Sequence, residues 1–222
     1  ALEPMQLIAH VVSNERPYTE ILTADYIMVN PYSAEIYGGD VVFSDYNDFD
    51  EWREGRITEY YRCTICGPNN PNNSYDLATE YPHAGILNSP AFLARYPSTE
   101  TNRNRARSRW AYYYFLGVDI EALSERTTDS DALEDENNPT LNNPNCVVCH
   151  DFMDPVAGVF QNYGNDGYYR DQPLGNNSLP QSYRNDPSGG FQFGDTWYSD
   201  MLAPGFGELL APDPDNSLQW LA

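Results

Sequence analysis

Two pairs of cysteines, each with two residues between its members, are the part of this sequence best suited to chemistry. Cys63 and Cys66 form the first pair and Cys146 and Cys149 the second, and only the second is followed directly by a histidine, His150. Residues three apart on a helix share a face, so two such thiols reach the two vinyl groups of one porphyrin as thioethers. The following imidazole then points at the iron. The second pair is therefore predicted to attach one covalent haem c, with His150 as the proximal ligand.

The residues also permit other chemistry. The less favoured alternative for the second pair is a disulfide or a zinc site, to which Cys63 and Cys66 would add ligands beside His150. The first pair lacks a histidine and is predicted to form a local disulfide between Cys63 and Cys66, with a second, unusual haem or a metal clip as alternatives. Because haem c is attached outside the energy-transducing membrane, where disulfides persist, the motif predicts a periplasmic, extracellular or cell-surface bacterial protein.

The sixth iron ligand decides which function a haem would serve. His83 is the first candidate, since it stands at a predicted helix start after a long loop and can reach across a pocket; His10 is the second. The remaining candidates are Met5, Met28 and Met201, and an open or water-filled position is the last alternative. Met153 is set aside, because it follows His150 by three residues and emerges on the same side of the porphyrin. An iron with all six coordination positions filled is typical of electron transfer, whereas an iron with an open sixth position would bind peroxide or oxygen.

Arginines and acidic clusters are the other candidates for ligand binding. Haem propionates need hydrogen-bond donors, and Arg109 and Arg170 are predicted to supply them. Four arginines alternate over 103–109, so they spread around a helix and cannot all meet one carboxylate; pairing with Asp or Glu is the alternative. Acidic segments at 45–51 and 129–136 suggest calcium, but neither has the EF-hand spacing, and solvated loops are the favoured interpretation.

Composition restricts the class of partner. The 222 residues include 33 acidic and 12 basic side chains, all of the latter arginine, for a formal net charge of −21. Nucleic acid and anionic lipid are therefore poor partners, and no apolar run is long enough to span a membrane. Negative charge near a haem stabilises ferric iron and lowers its reduction potential. An electron partner, not identified by the sequence, would have to be basic or bridged by cations.

The elements that must position these residues are predicted to be mainly α-helical, with long irregular loops. Two amphipathic helices are expected between residues 4 and 30, broken at Pro17, and two more at 85–96 and 102–116, the last ending in an aromatic run predicted to be buried. The haem helix is expected to cover 146–152 and to end at Asp154 and Pro155, with another helix over 156–163. A further helix is predicted near 197–201.

We predict one haem-binding domain over residues 1–222. Its parts are an N-terminal helical region with the first cysteine pair (1–66), a haem core (83–171) and a loop-rich C-terminal wrap (172–222). Their arrangement would be a cytochrome c-like helical domain with extensions.

The stretch from PHAGILNSPAFLARYPSTETNRNRARSRWAYYYFLGVDIEAL through CVVCHDFMDPVAGVFQNYGNDGYYRD resembles the C-terminal half of large secreted bacterial proteins. These are domains of unknown function, abundant in planctomycetes and in marine and myxobacterial genomes, with a haem c motif that continues into Met-Asp-Pro-x-Gly. Residues 146–155 match that motif, but Ala157 precedes Gly158 and shifts the last spacing by one residue. The resemblance spans most of 5–171 and implies a secreted monohaem cytochrome module.

Three hypotheses follow. The first is a secreted monohaem c-type cytochrome that transfers electrons. The second is a haem peroxidase-type enzyme with an open sixth position, for which no distal acid or base is evident from spacing. The third is a structural subunit of an extracellular assembly, in which copies form an oligomer or a conductive polymer.

Overall fold

The computed structural model describes residues 2–37, 41–57, 62–63, 75–76, 81–99, 102–134, 136–163, 169, 196–198, 200–212 and 217–222. The chain divides into two compact units: residues 1–95 with 165–170 and 222, and residues 96–164 with 171–221. Within the described ranges, no helix has the length and apolar character needed to cross a membrane. The predicted organisation as one haem-binding domain stays a prediction.

The first unit combines short helices with two small two-stranded sheets. Its elements are α1 (Glu3–Ser13), α2 (Glu20–Thr23), β1 (Ile27–Val29), α3 (Pro31–Tyr37), β2 (Arg53–Gly55), β3 (Arg62–Cys63), β4 (Tyr75–Asp76) and α4 (Pro90–Arg95). Leu7 and Val11 are four residues apart on α1 and both are buried, so one stripe of this helix packs on β1 and α4. Strand β1 pairs with β2 in antiparallel register, and β3 with β4.

The second unit is built around one long helix. Its elements are α5 (Arg105–Ala111), a π-helical turn (Tyr112–Leu116), a 3₁₀ turn (Ile120–Ala122), α6 (Ser130–Leu133), α7 (Pro139–Asn142), α8 (Pro144–Val159), β5 (Thr196–Tyr198), β6 (Met201–Leu202), β7 (Gly205–Phe206), β8 (Leu209–Leu210) and α9 (Ser217–Leu221). Helix α8 packs against α5, α7, α9, the 3₁₀ turn and both strands β6 and β7. The second half of α8 is buried, whereas its first half is partly exposed.

The described residues confirm a helix-rich class with small two-stranded sheets. Several predicted boundaries are wrong. The second predicted N-terminal helix is only α2, since residues 27–29 form β1, and the helix expected near 197–201 is replaced by the β5–β6 hairpin. The helices expected at 85–96 and 102–116 are shorter: α4 begins only at Pro90, and α5 gives way to the π-helical turn.

Helix α8 does not end at Pro155. A proline inside a helix removes one backbone hydrogen bond and costs about 3 kcal/mol. Beyond it, Val156, Val159 and Phe160 are almost wholly buried, and burying such a side chain contributes roughly 1.5–3 kcal/mol each. Tertiary packing therefore carries one helix through Pro155 where two were predicted.

The aromatic run at the end of α5 is only partly core. Tyr112 is buried, but Tyr113 and Tyr114 are 47% and 52% exposed. Successive residues of a helical turn point about 100° apart, so a continuous run cannot face one core. Instead, Trp110 stacks between Tyr96 and Tyr114, with ring centroids 5.4 and 5.3 Å away.

Candidate functional site

The cysteine motif lies at the start of α8. Asn143 caps this helix by accepting the backbone N–H of Asn145 at 3.0 Å on its side-chain oxygen, and Pro144 occupies the first helical position. Cys146 and Cys149 therefore stand in the first helical turns with the spacing of three that places them on one face. Both are unpaired thiols and both are partly exposed.

Cys149 is held against the backbone of a neighbouring turn. Its Sγ lies 3.4 Å from the carbonyl oxygen of Ile120 and donates to it. Burial raises the pKa of Cys149, and the nearby negative charge of Glu121 raises it further. Cys149 is thus a neutral thiol in the folded chain, and it lies on the same face of α8 as Cys146.

His150 donates its ring proton to a buried carboxylate. Its Nδ1 lies 3.0 and 3.1 Å from the two oxygens of Asp154, four residues further along α8. Asp154 also accepts two hydrogen bonds from Arg105 of α5, from Nε at 2.8 Å and from the terminal nitrogen at 3.0 Å. Because a carboxylate only accepts, the proton of neutral His150 is on Nδ1 and the lone pair is on Nε2. The side chain of His150 is 19% exposed and that of Asp154 is 1% exposed.

Burial also affects two titratable groups beside the cysteine motif. Burial raises the pKa of the Asp151 carboxyl, and the charge of Asp154 contributes in the same direction. Tyr112 donates its hydroxyl to the carbonyl of Phe152 at 3.3 Å, and burial raises the pKa of this tyrosine.

His83, the first candidate for a sixth ligand, belongs to the first unit. It is buried, and its Nε2 accepts the backbone N–H of Ile57 at 3.1 Å. Burial lowers the pKa of His83 to about 4, and the positive charge of Arg56 adds to this effect, so the ring is neutral at pH 7. His83 as an iron ligand stays a prediction.

The other candidates for the sixth position are also placed. Both ring nitrogens of His10 have hydrogen-bond partners. Nε2 lies 2.8 Å from a carboxylate oxygen of Glu54, and the side-chain amide of Asn14 donates to Nδ1 at 3.3 Å. Met28 and Met201 are buried in the cores of the first and second unit, whereas Met5 is exposed. Their roles stay predictions.

Arg109 uses its guanidinium on protein carboxylates. It makes two hydrogen bonds of 2.9 Å to Asp119 and a further ion pair of 2.9 Å with Glu121. Arg103 likewise pairs with Asp200. These contacts are of the kind expected from the alternative interpretation of the arginine run, and the propionate role of Arg109 stays a prediction.

Some predicted residues lie outside the part of the chain that the structure describes. These are Arg170, Cys66 and the side chain of Cys63, so the propionate role of Arg170 and the disulfide stay predictions.

In the acidic segment 45–51, Asp45 and Asp48 accept backbone N–H groups of Asn47 and Asp50 at 2.8 and 2.9 Å, as turn residues do. Over the described ranges, no three His, Cys, Asp or Glu side chains are grouped as a metal site.

The contact that sequence reasoning missed is the one between His150 and Asp154. Asp154 was predicted only to help end the haem helix, although its spacing of four from His150 already placed both on one helical face. The pairing with Arg105, 49 residues earlier, had no such local indication.

Comparison with known proteins gives one match. Residues 83–173 match the family model PSCyt3, described as a protein of unknown function (DUF1588). No curated protein and no solved structure matches the chain. The matched segment contains Arg105, the cysteine motif and Asp154, and all but its last two residues lie in the stretch 82–171 that resembles domains of unknown function. Over these residues, the chain is similar to a family whose function is not established.

Proposed function

We propose that this chain is a secreted monohaem c-type cytochrome that transfers electrons. Cys146 and Cys149 would hold one haem through thioether bonds, and His150 would be its proximal ligand. When bound, a haem supplies a one-electron couple. The periplasm or the cell surface is the location that follows from this proposal, because haem c is attached there.

The observation that carries the proposal is the state of His150. Asp154 accepts the hydrogen bond from Nδ1, so the lone pair of Nε2 is available, and this is the tautomer in which Nε2 can bind iron. None of the described residues makes a hydrogen bond to Nε2. A histidine that donates its other ring nitrogen to a carboxylate is the usual arrangement of a metal-ligating imidazole.

The thiols support the same proposal. Two unpaired cysteines on one helical face, immediately before this histidine, form the donor set that thioether attachment needs. Cys149 lies beside the backbone of the 3₁₀ turn, with its Sγ 3.4 Å from the carbonyl oxygen of Ile120, which holds this thiol in place next to His150. The partly exposed first half of α8 leaves this face accessible to a planar ligand.

The residues of this chain then have separate roles. Cys146 and Cys149 fix the position of the ligand, and His150 fixes its distance from α8. The formal net charge of −21 would favour the more positive, ferric state. An outer-sphere carrier needs nothing more than a fixed iron environment and a docking surface, which with 33 acidic residues would suit a basic partner.

Expression in a bacterial periplasm with haem c maturation factors tests this proposal. We expect the purified chain to gain the mass of one haem and to keep it after denaturation, because thioether bonds are covalent. The double variant C146A/C149A should lose covalent haem. The double variant C63A/C66A is the matched control, since it removes the same number of thiols from the other pair, and it should keep the haem. Covalent haem in C146A/C149A, or none in the unchanged chain, would refute the proposal.

The reduced spectrum with carbon monoxide separates the electron carrier from the peroxidase-type alternative. A carrier with a saturated iron should show no change when carbon monoxide is added. A rapid and complete spectral change would instead favour the open sixth position that the enzyme hypothesis requires.

A further inference from the structure

The carboxylate of Asp154 joins two elements of the second unit to the candidate proximal ligand. It receives the Nδ1–H of His150 from its own helix and the two parallel N–H groups of Arg105 from α5. Its side chain is 1% exposed and that of Arg105 is 14% exposed. The three side chains therefore form a chain of charge-assisted hydrogen bonds that water scarcely reaches.

Arg105 gives this carboxylate a fixed charge and a fixed orientation. A buried carboxylate without a counter-charge is costly, and the planar fork of an arginine compensates it while fixing the plane of its two oxygens. His150 meets that fixed acceptor at nearly equal distances from both oxygens. The ring is thus restrained in rotation as well as in tautomer.

A hydrogen bond to a carboxylate makes the opposite nitrogen of an imidazole a stronger donor. Partial removal of the Nδ1 proton increases electron density on Nε2, and a stronger donor stabilises ferric iron over ferrous iron. The low dielectric around Asp154 strengthens this effect, because less solvent screens the carboxylate.

We propose that Asp154, oriented by Arg105, is a positioning residue that sets the orientation and donor strength of His150 and thereby lowers the reduction potential of the bound haem. This inference rests on the proposed function. It identifies the device that would adapt this chain to low-potential electron transfer.

Replacing Asp154 with asparagine tests the inference in the haem-loaded protein. The D154N variant keeps the size and one acceptor oxygen but loses the charge. We expect haem to stay covalently bound and the ferric-to-ferrous equilibrium to move at least tenfold toward ferrous iron. For a one-electron couple, that is a rise of about 59 mV in potentiometric titration. The hyperfine-shifted proton NMR signals of the His150 ring in the ferric protein should also move, because the imidazole becomes a weaker donor.

The pair formed by Arg109 and Asp119 offers a matched control. It is another bidentate arginine–carboxylate pair of the second unit, but the described contacts of Asp119 include no histidine. The D119N variant removes the same charge and should leave both the potential and the NMR signals of the His150 ring close to those of the unchanged protein. The D154E variant, which restores a carboxylate, should return most of the potential shift.

The failures of the two proposals are distinguishable. No haem in the unchanged protein would overturn both. Haem in the unchanged protein with D154N and D119N giving equal potentials would overturn only the role of Asp154. If D154N does not fold, nitrogen-15 NMR of the unchanged haem-free protein at mildly alkaline pH decides: a proton on Nδ1 of His150 supports the inference, and a proton on Nε2 contradicts it.

Discussion

Replacing Arg107 with methionine is expected to lower the free energy of unfolding by about 3–5 kcal/mol. Arg107 is fully buried on α5. It donates from Nε to the carbonyl of Tyr96 at 2.9 Å, and from a terminal nitrogen to the carbonyl of Tyr163 at 2.7 Å and the side-chain oxygen of Asn104 at 3.0 Å. Methionine fills a similar volume but has no hydrogen-bond donor. The two carbonyl oxygens and the Asn104 oxygen, which lie in a low-dielectric interior, would therefore lose the donor that Arg107 supplies.

The position of Arg107 makes this loss larger than that of one hydrogen bond. Asn104 has a left-handed backbone, with a φ of 67°, directly before α5 begins. Its bond to Arg107 supports a conformation that non-glycine residues adopt at a cost of roughly 1–2 kcal/mol. Arg107 thus stabilises the start of α5 and connects it to the segment after α8.

Urea unfolding followed by circular dichroism measures the effect. The matched control is Arg126→Met, because the side chain of Arg126 is 84% exposed and, among the described residues, pairs at the surface with Glu121. We expect that variant to change stability by no more than about 0.5 kcal/mol. Equal stabilities of the two variants would contradict the buried hydrogen-bond network.

Replacing Gly85 with alanine is expected to destabilise the first unit by about 3 kcal/mol or more. Gly85 has a φ of +50°, and an added Cβ would lie 2.1 Å from the backbone oxygen of Ile21. The N–H of Gly85 also donates to the carbonyl of Ala24 at 3.0 Å. Backbone cannot give way as a flexible side chain does, so the segment around Gly85 must move away from α2.

Gly117 supplies the control for this substitution. Its φ is +67°, but no described atom lies within 4 Å of the position that a Cβ would take. Gly117→Ala therefore carries the conformational cost alone, about 1–2 kcal/mol. In thermal unfolding, the melting temperature of G85A should lie well below that of G117A. Equal melting temperatures for the two variants would show that Gly85 does not lie so close to the backbone of α2.

The local sequence pattern was sufficient to predict some helices and strands but not others. The repeat of Leu7 and Val11 predicted an N-terminal helix because one buried stripe needs only neighbours along the chain. The run Ile27–Val29 is too short to distinguish strand from helix by periodicity, and its pairing with β2 decides it. Pro155 ended the predicted helix on local grounds, whereas burial of the following residues overrides that preference.

The sequence by itself determined the chemistry that this protein can support. Two thiols and an imidazole at fixed spacing need only a helix to share a face, and a helix is a local structure. The charge and orientation of Asp154, the acceptor of the His150 ring proton, were decided by the tertiary structure, because Arg105 reaches Asp154 only when α5 packs on α8. That contact crosses 49 residues, and no periodicity of either helix encodes it.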